Sequence, residues 1–200
     1  GGAVAIEDWG IQPDMITCGK AIGSGYAPLG AVIVNDRITS FFREGKRRFV
    51  HGFTYSGHAA SCFIGLKVYE IMQREGLFSR AAAVGPYLHR SLQDLQQKHP
   101  LIGDVRGRGL YAGVEFVADR VTKKPVSPEF NLTGRLVSGM RERGVIVGGG
   151  VPGINFGKDG DHIQISPPFT ITEAEIDVLT EALDDTLAQL AERLDAKSDA

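Results

Sequence analysis

The spacing of apolar residues changes along the chain, and each change predicts an element. Two short apolar runs, Met15 to Cys18 and Gly30 to Val34, are bounded by Pro, Gly and Asp. They predict strands buried on both faces. Asp36 can cap a short helix through Phe42 that ends before Gly45. From about His58 to Gln73 the residues Cys62, Leu66, Tyr69 and Met72 recur at helical spacing, with Ser56 as the expected N-cap and Gly76 as an interruption. A second helical stretch, Leu77 to about Lys98, carries Leu88, Leu92 and Leu95 as its stripe, and Pro86 is expected to kink it or mark a fresh start.

Beyond Pro100 the texture differs. Val105 to Gly109 reads as a turn, Leu110 to Val117 as a strand, and polar Asp119 to Pro128 as a loop. A helix is expected over Leu132 to Arg143, closed by Gly144, with a strand at Val145-Ile146-Val147. His162 to Ser166 alternates as a strand and stops at Pro167-Pro168. Thr172 to Glu175 fits a capping box, and Ile176, Leu179, Leu183, Leu187, Leu190 and Leu194 form one apolar face. The order β-α-β-β-α suggests an α+β lobe with a frayed tail from about Lys197.

Composition narrows the function classes. Of the 200 residues 42% are apolar and 23% charged, ordinary for a globular chain. A formal charge of −2 gives no reason to expect nucleic acid or an anionic membrane as partner. The one basic cluster, Lys46, Arg47 and Arg48, reads as a solvated loop. No apolar run reaches the length of a membrane span, and the start does not read as a signal peptide. The two cysteines, Cys18 and Cys62, permit a disulfide on count alone, but reduced thiols in a cytoplasmic protein are the reading preferred. Cys18 can share the face of Lys20 or serve as a small buried hydrophobe.

Lys20 is the residue that most suggests chemistry. It follows a short strand and precedes a loop containing Gly23, Gly25 and Gly30. An amine so placed is a candidate for Schiff-base chemistry; the bland alternative is a strand-end lysine with a salt-bridge partner. The Gly52-Phe53-Thr54 turn lies a few residues ahead of a predicted helix. There Thr54 and backbone N–H groups can hold a phosphate, or the hydroxyl merely closes its own turn. Phe53, Tyr55 and Tyr26 can line a pocket or pack a core. His51, His58 and His162 match no familiar zinc spacing, so no metal is expected. The glycine-rich stretch Gly148 to Gly160 lacks the Gly-Lys-Ser/Thr ending of a phosphate loop and is read as a mobile segment at an active-site mouth.

Three stretches carry a resemblance: Ile11 to Val34, the run His51-Gly52-Phe53-Thr54-Tyr55-Ser56-Gly57-His58, and Gly160 to Pro168. Together they resemble the class III, or ω-, aminotransferases, pyridoxal-phosphate enzymes of fold type I, and the likeness covers essentially the whole chain. It implies an α/β fold in which residues 1–98 are the C-terminal portion of the cofactor-binding major domain with its linking helices. Residues 99–200 would be the small C-terminal α+β domain. Lys20 falls on the lysine that carries pyridoxal 5'-phosphate and shuttles a proton. Thr54 falls on the threonine that reaches the phosphate of the neighbouring subunit, implying a homodimer with shared sites, and Phe53 is counted with them as cofactor-binding. The implied activity moves an amino group from an amine or ω-amino acid to a keto acid such as pyruvate. A decarboxylase or aminomutase on the same cofactor, or a non-catalytic assembly module, are the alternatives.

In the family a longer N-terminal part supplies a glycine turn for the phosphate, an aromatic ring over the pyridine and an aspartate for its nitrogen. The opening Gly1 to Ile6 resembles the stretch just after that aspartate, so the chain is expected to be a C-terminal part that binds cofactor poorly by itself. Members acting on amino acids often carry an arginine where Gln164 stands or in the loop before His162. Only Lys158 is cationic between Val151 and Asp161, so weak carboxylate recognition is expected from this region.

Overall fold

The computed structural model describes residues 4–45 and 48–198, with side chains placed through residue 194. Gly1, Gly2 and Ala3, and Lys46 and Arg47 of the expected basic cluster, lie outside the described residues. The chain divides into two compact units, Gly1–Ser79 and Arg80–Ala200.

In the first unit a 3-10 helix, Ala5–Trp9, precedes β1 (Met15–Cys18) and β2 (Ala31–Val34). These strands form a two-stranded antiparallel ribbon with Met15 opposite Val34 and Cys18 opposite Ala31. The expectation of strands buried on both faces is not met: Val32 and Ile33 are exposed, and Ile16 and Val34 are only half-buried. A second 3-10 helix, Lys20–Gly23, sits between the strands. Helix α1 (Asp36–Glu44) is capped by Asn35, not Asp36, because the Asn35 side chain accepts from the Ile38 N–H (3.2 Å). Asp14 accepts from Asn35 Nδ2 (2.8 Å) and pairs with Arg37 (2.5 Å), which ties the start of α1 to the entry of β1.

Helix α2 (Ala59–Arg74) is capped by His58, not Ser56: Nδ1 of His58 accepts from the Ser61 N–H (3.3 Å). The expected stripe of α2 is also displaced. Cys62, Leu66 and Tyr69 face outward, whereas Ser61 and Gly65 are buried and Val68 and Met72 half-buried. Among the described residues of this unit, only Gly23, Ser61 and Gly65 are buried.

The second unit holds the apolar core. Helix α3 (Leu77–Lys98) straddles the division and runs through Pro86 unbroken, and Leu88, Leu92 and Leu95 are buried as expected. This stripe belongs to the core of the second unit. Strands β3 (Ile102–Arg108), β4 (Tyr111–Phe116), β5 (Gly148–Gly149) and β6 (Asp161–Ile165) form an antiparallel sheet in the order β3-β4-β6-β5. Val105 to Arg108 is therefore strand rather than turn. The reversal is confined to Gly109 and Leu110, since Arg108 already pairs with Tyr111.

Helix α4 (Leu132–Glu142) ends in a Schellman closure: Gly144, at φ 80, donates to the Arg141 carbonyl and Val145 to that of Met140. That closure uses the Val145 N–H, which is why the expected strand at Val145-Ile146-Val147 is absent and pairing begins at Gly148 opposite Gln164. Helix α5 (Glu173–Ser198) opens with the expected capping box, Glu175 N–H to Thr172 Oγ1 (3.2 Å) and Thr172 N–H to Glu175 Oε2 (2.8 Å). It continues through Ser198, past the point where fraying was expected. Ile176, Leu179, Leu183, Leu187 and Leu190 are buried against Ala112, Val114, Phe116, Ile163 and Ile165 in one cluster.

Candidate active site

Lys20 stands at the exit of β1, where Gly19 is extended and Lys20 itself opens the 3-10 helix at φ 52. A residue with a Cβ seldom adopts that left-handed conformation, and when it does the surrounding structure must hold it there. Three backbone bonds close the turn: Ile22 N–H to the Gly19 carbonyl (3.4 Å), Ser24 to Ala21 (3.0 Å) and Tyr26 to Gly23 (2.9 Å). The Lys20 side chain is exposed. Among the described residues its ammonium has no hydrogen-bond or ion-pair partner. The salt-bridge alternative raised by the sequence therefore finds no support within the described chain.

Thr54 lies in a turn closed by Ser56 N–H to the Phe53 carbonyl (2.9 Å) and His58 N–H to the Tyr55 carbonyl (3.2 Å). The turn delivers the chain to the N-terminus of α2, whose dipole and unpaired N–H groups favour an anion. Thr54 is exposed, as are Phe53 (68%), Tyr55 and Tyr26 (80%). None of these aromatics packs a core, contrary to the packing alternative. Lys20 and Thr54 share the first unit, and α2 packs against the Lys20 helix. No hydrogen bond joins the two side chains among the described residues.

The remaining candidates have local roles. The His51 ring lies edge-on to Phe49, and His58 is spent on capping α2. His162 lies against Gly150, where a Cβ would overlap its ring. Cys18 is half-buried and Cys62 exposed, and both are free thiols. Gln164 pairs with Gly113 and Gly148 inside the sheet. The loop after β5 folds back through Ile154 and Asp159, with Phe156 fully exposed at its tip.

Two hollows are present in the second unit. One lies between α3 and α5 and is lined by Asp94, Asp177, Glu181 and Asp184; the other lies between α4 and α5. Burial raises the Asp184 carboxyl, but bonds from Lys98 (2.5 Å) and His99 (2.5 Å) outweigh it and hold the group below the ordinary aspartate value. The signals sequence reading missed here, Asn35, His58 and Gly65, are positional: each became visible only once the start or packed face of a helix was fixed.

The donor set fits pyridoxal phosphate in part. The chain offers an unpartnered amine on a left-handed turn and a hydroxyl-bearing turn at a helix start, the two functions an aldehyde and a phosphate need. It is this pairing that comparison with known proteins bears upon. The class-III aminotransferase family profile matches residues 1–187. An uncharacterized aminotransferase of Bacillus subtilis, YodT, is 37% identical over 97% of this chain and 44% of its own length. A thermostable (S)-enantioselective ω-transaminase from Thermomicrobium roseum superposes with a TM-score of 0.80 at 40% identity, over 92% of this chain and 39% of that one. An amine transaminase from an uncultivated Pseudomonas species, solved in its PLP-bound form, gives 0.81 at 34% identity, over 92% and 40%. The chain thus spans under half the length of the relatives it matches.

Proposed function

This chain belongs to the class-III aminotransferases, and from that premise we propose that it supplies the reactive lysine of a pyridoxal-phosphate-dependent transaminase. The reading is that an amino group passes from an amine or ω-amino acid to a keto acid such as pyruvate. The observation that carries it is Lys20: a free amine at φ 52, at a strand exit, within the stretch the family profile covers. Bound pyridoxal phosphate would supply an aldehyde carbon for that amine and a conjugated ring that accepts electrons as the donor loses a proton. Lys20 would hold the group through its Nζ, and as a free amine that nitrogen would accept and give back a proton. The left-handed backbone sets the direction of the Lys20 Cα–Cβ bond at the exit of β1.

Thr54 in this reading donates its hydroxyl to a phosphate oxygen, aided by the N-terminus of α2, and does so across a homodimer, with Phe53 beside it. Residues 1–98 and 99–200 take the parts of major-domain portion and small domain, and the protein is cytoplasmic. The relatives reported are all aminotransferases or transaminases; no observation favours a decarboxylase, an aminomutase or a bare assembly module. The test is spectroscopic. Adding cofactor to the full protein should give a visible absorbance band that Lys20→Ala loses. A band of equal strength in the variant would overturn the reading.

A further inference from the structure

The strained turn at Lys20 is held from one side by α2, and the contact is made by residues with almost no side chain. Gly65 and Ser61 are one helical turn apart on the buried face of α2, and Gly23 is the buried residue of the Lys20 helix. A Cβ built on Gly65 would overlap Leu29 Cδ2 and stand 3.5 Å from the Ile22 carbonyl oxygen. Ile22 lies within the Lys20–Gly23 helix, and Leu29 precedes β2. Gly65 therefore sets how closely α2 approaches both the turn and the strand that follows it. Ser61 is fixed in the same face, because His58 Nδ1 accepts its N–H and lies 3.0 Å from its hydroxyl oxygen.

We propose that Gly65 is a positioning residue for Lys20: its missing side chain lets α2 seat on the Ile22 carbonyl and so keeps Lys20 in the left-handed conformation that aims its amine. The proposal rests on the reading of Lys20 given above. The mechanism is steric. A glycine within a 16-residue helix weakens that helix relative to alanine, so its presence here calls for a packing reason. The close approach to Leu29 and Ile22 is that reason. A Cβ added at position 65 would displace the end of the Leu29 side chain and rest in ordinary contact on the Ile22 carbonyl oxygen, so larger groups there would press on the turn.

The two possible roles of Gly65 differ in what they predict for the turn at Lys20. Were Gly65 merely structural, Gly65→Ala would strengthen α2 and leave Lys20 alone. Were it positional, the same change would keep or raise thermal stability while loosening the turn. The experiment is a series on the full protein: Gly65→Ala, Gly65→Val, and Gly65→Ala combined with Leu29→Ala, which removes the methyl that the new Cβ meets. Amide hydrogen exchange at Ser24 and Tyr26 is read without cofactor, and the pH midpoint of the visible band is read with it. Gly65→Ala should speed exchange at both amides on the order of threefold and move the midpoint. Gly65→Val, whose branches crowd the Ile22 carbonyl, should cost cofactor affinity on the order of a hundredfold. The double variant should return exchange and midpoint to the parent values. The proposal is overturned if Gly65→Ala leaves exchange at the parent rate, or if removing the Leu29 methyl restores nothing. Should the parent protein show no band at all, the reading of Lys20 fails, while the exchange measurements still decide the role of Gly65.

Discussion

The two units of this chain use their apolar residues in opposite ways. In the second unit Leu88, Phe116, Leu136, Ile163, Leu183 and Leu187 are fully buried and interlock across helices and sheet. In the first, Val32, Ile33, Phe63 and Leu66 are exposed, and the described residues include no buried hydrophobic side chain. Since apolar burial is the dominant favourable term in folding, the stability carried by this chain resides in the second unit. The residue proposed to carry the chemistry, Lys20, lies in the first. Lys20 joins a positive φ, an amine without a partner among the described residues and a place at the exit of β1, in a unit whose apolar side chains stand largely open. Stability and reactivity are thus assigned to different parts of one sequence.

Core truncation sharpens that contrast most. Leu183→Ala or Phe116→Ala should cost about 3–5 kcal/mol in denaturant unfolding, whereas Leu66→Ala should stay within about 0.5 kcal/mol. Equal costs would dissolve the contrast. Next is Gly85→Ala on α3. Its Cβ would lie 2.8 Å from the backbone of Gly109, which cannot rotate away. The change should cost about 1–3 kcal/mol through overpacking. Thermal unfolding compared with Gly65→Ala, where only a rotatable side chain is met, checks it.

Asp184→Asn removes the charge and one of the two oxygens that serve Lys98 and His99 and should cost about 2 kcal/mol at neutral pH. Because the folded Asp184 carboxyl titrates below its ordinary 3.8, the stability it provides is present above that value. It is lost as pH falls through the lower folded value. Parent and variant should therefore converge in acid, and a gap that persists there would contradict the assignment. A smaller loss is expected of Thr172→Ala, about 1 kcal/mol from removal of the α5 cap. The shift should appear in the second unit's unfolding and leave the visible band unchanged.

The same contrast explains what was legible in the sequence. The stripe of α3, the capping box and face of α5, and the alternation of β6 were read correctly, because the partners they pack against lie within this chain. Periodicity says which positions are apolar but not what covers them. Hence β1 and β2, read as doubly buried, stand largely open, and α2 presents Ser61 and Gly65 rather than Cys62 and Leu66. The strand at β3 was read as a turn because its glycines and arginines hide the pairing with β4, which is set by register and not by hydropathy. Lys20 was singled out as a candidate from its neighbours in sequence. Its left-handed backbone and the contact of Gly65 with Ile22 and Leu29 were not foreseen, the latter because it joins segments some forty residues apart.

The most direct test of the account is chemical. Cofactor-loaded full protein is reduced with borohydride, digested, and the pyridoxylated peptide located by mass spectrometry. The account predicts a single modified residue, Lys20, in the peptide that joins β1 to the following turn. Modification at another lysine with Lys20 left intact would contradict it.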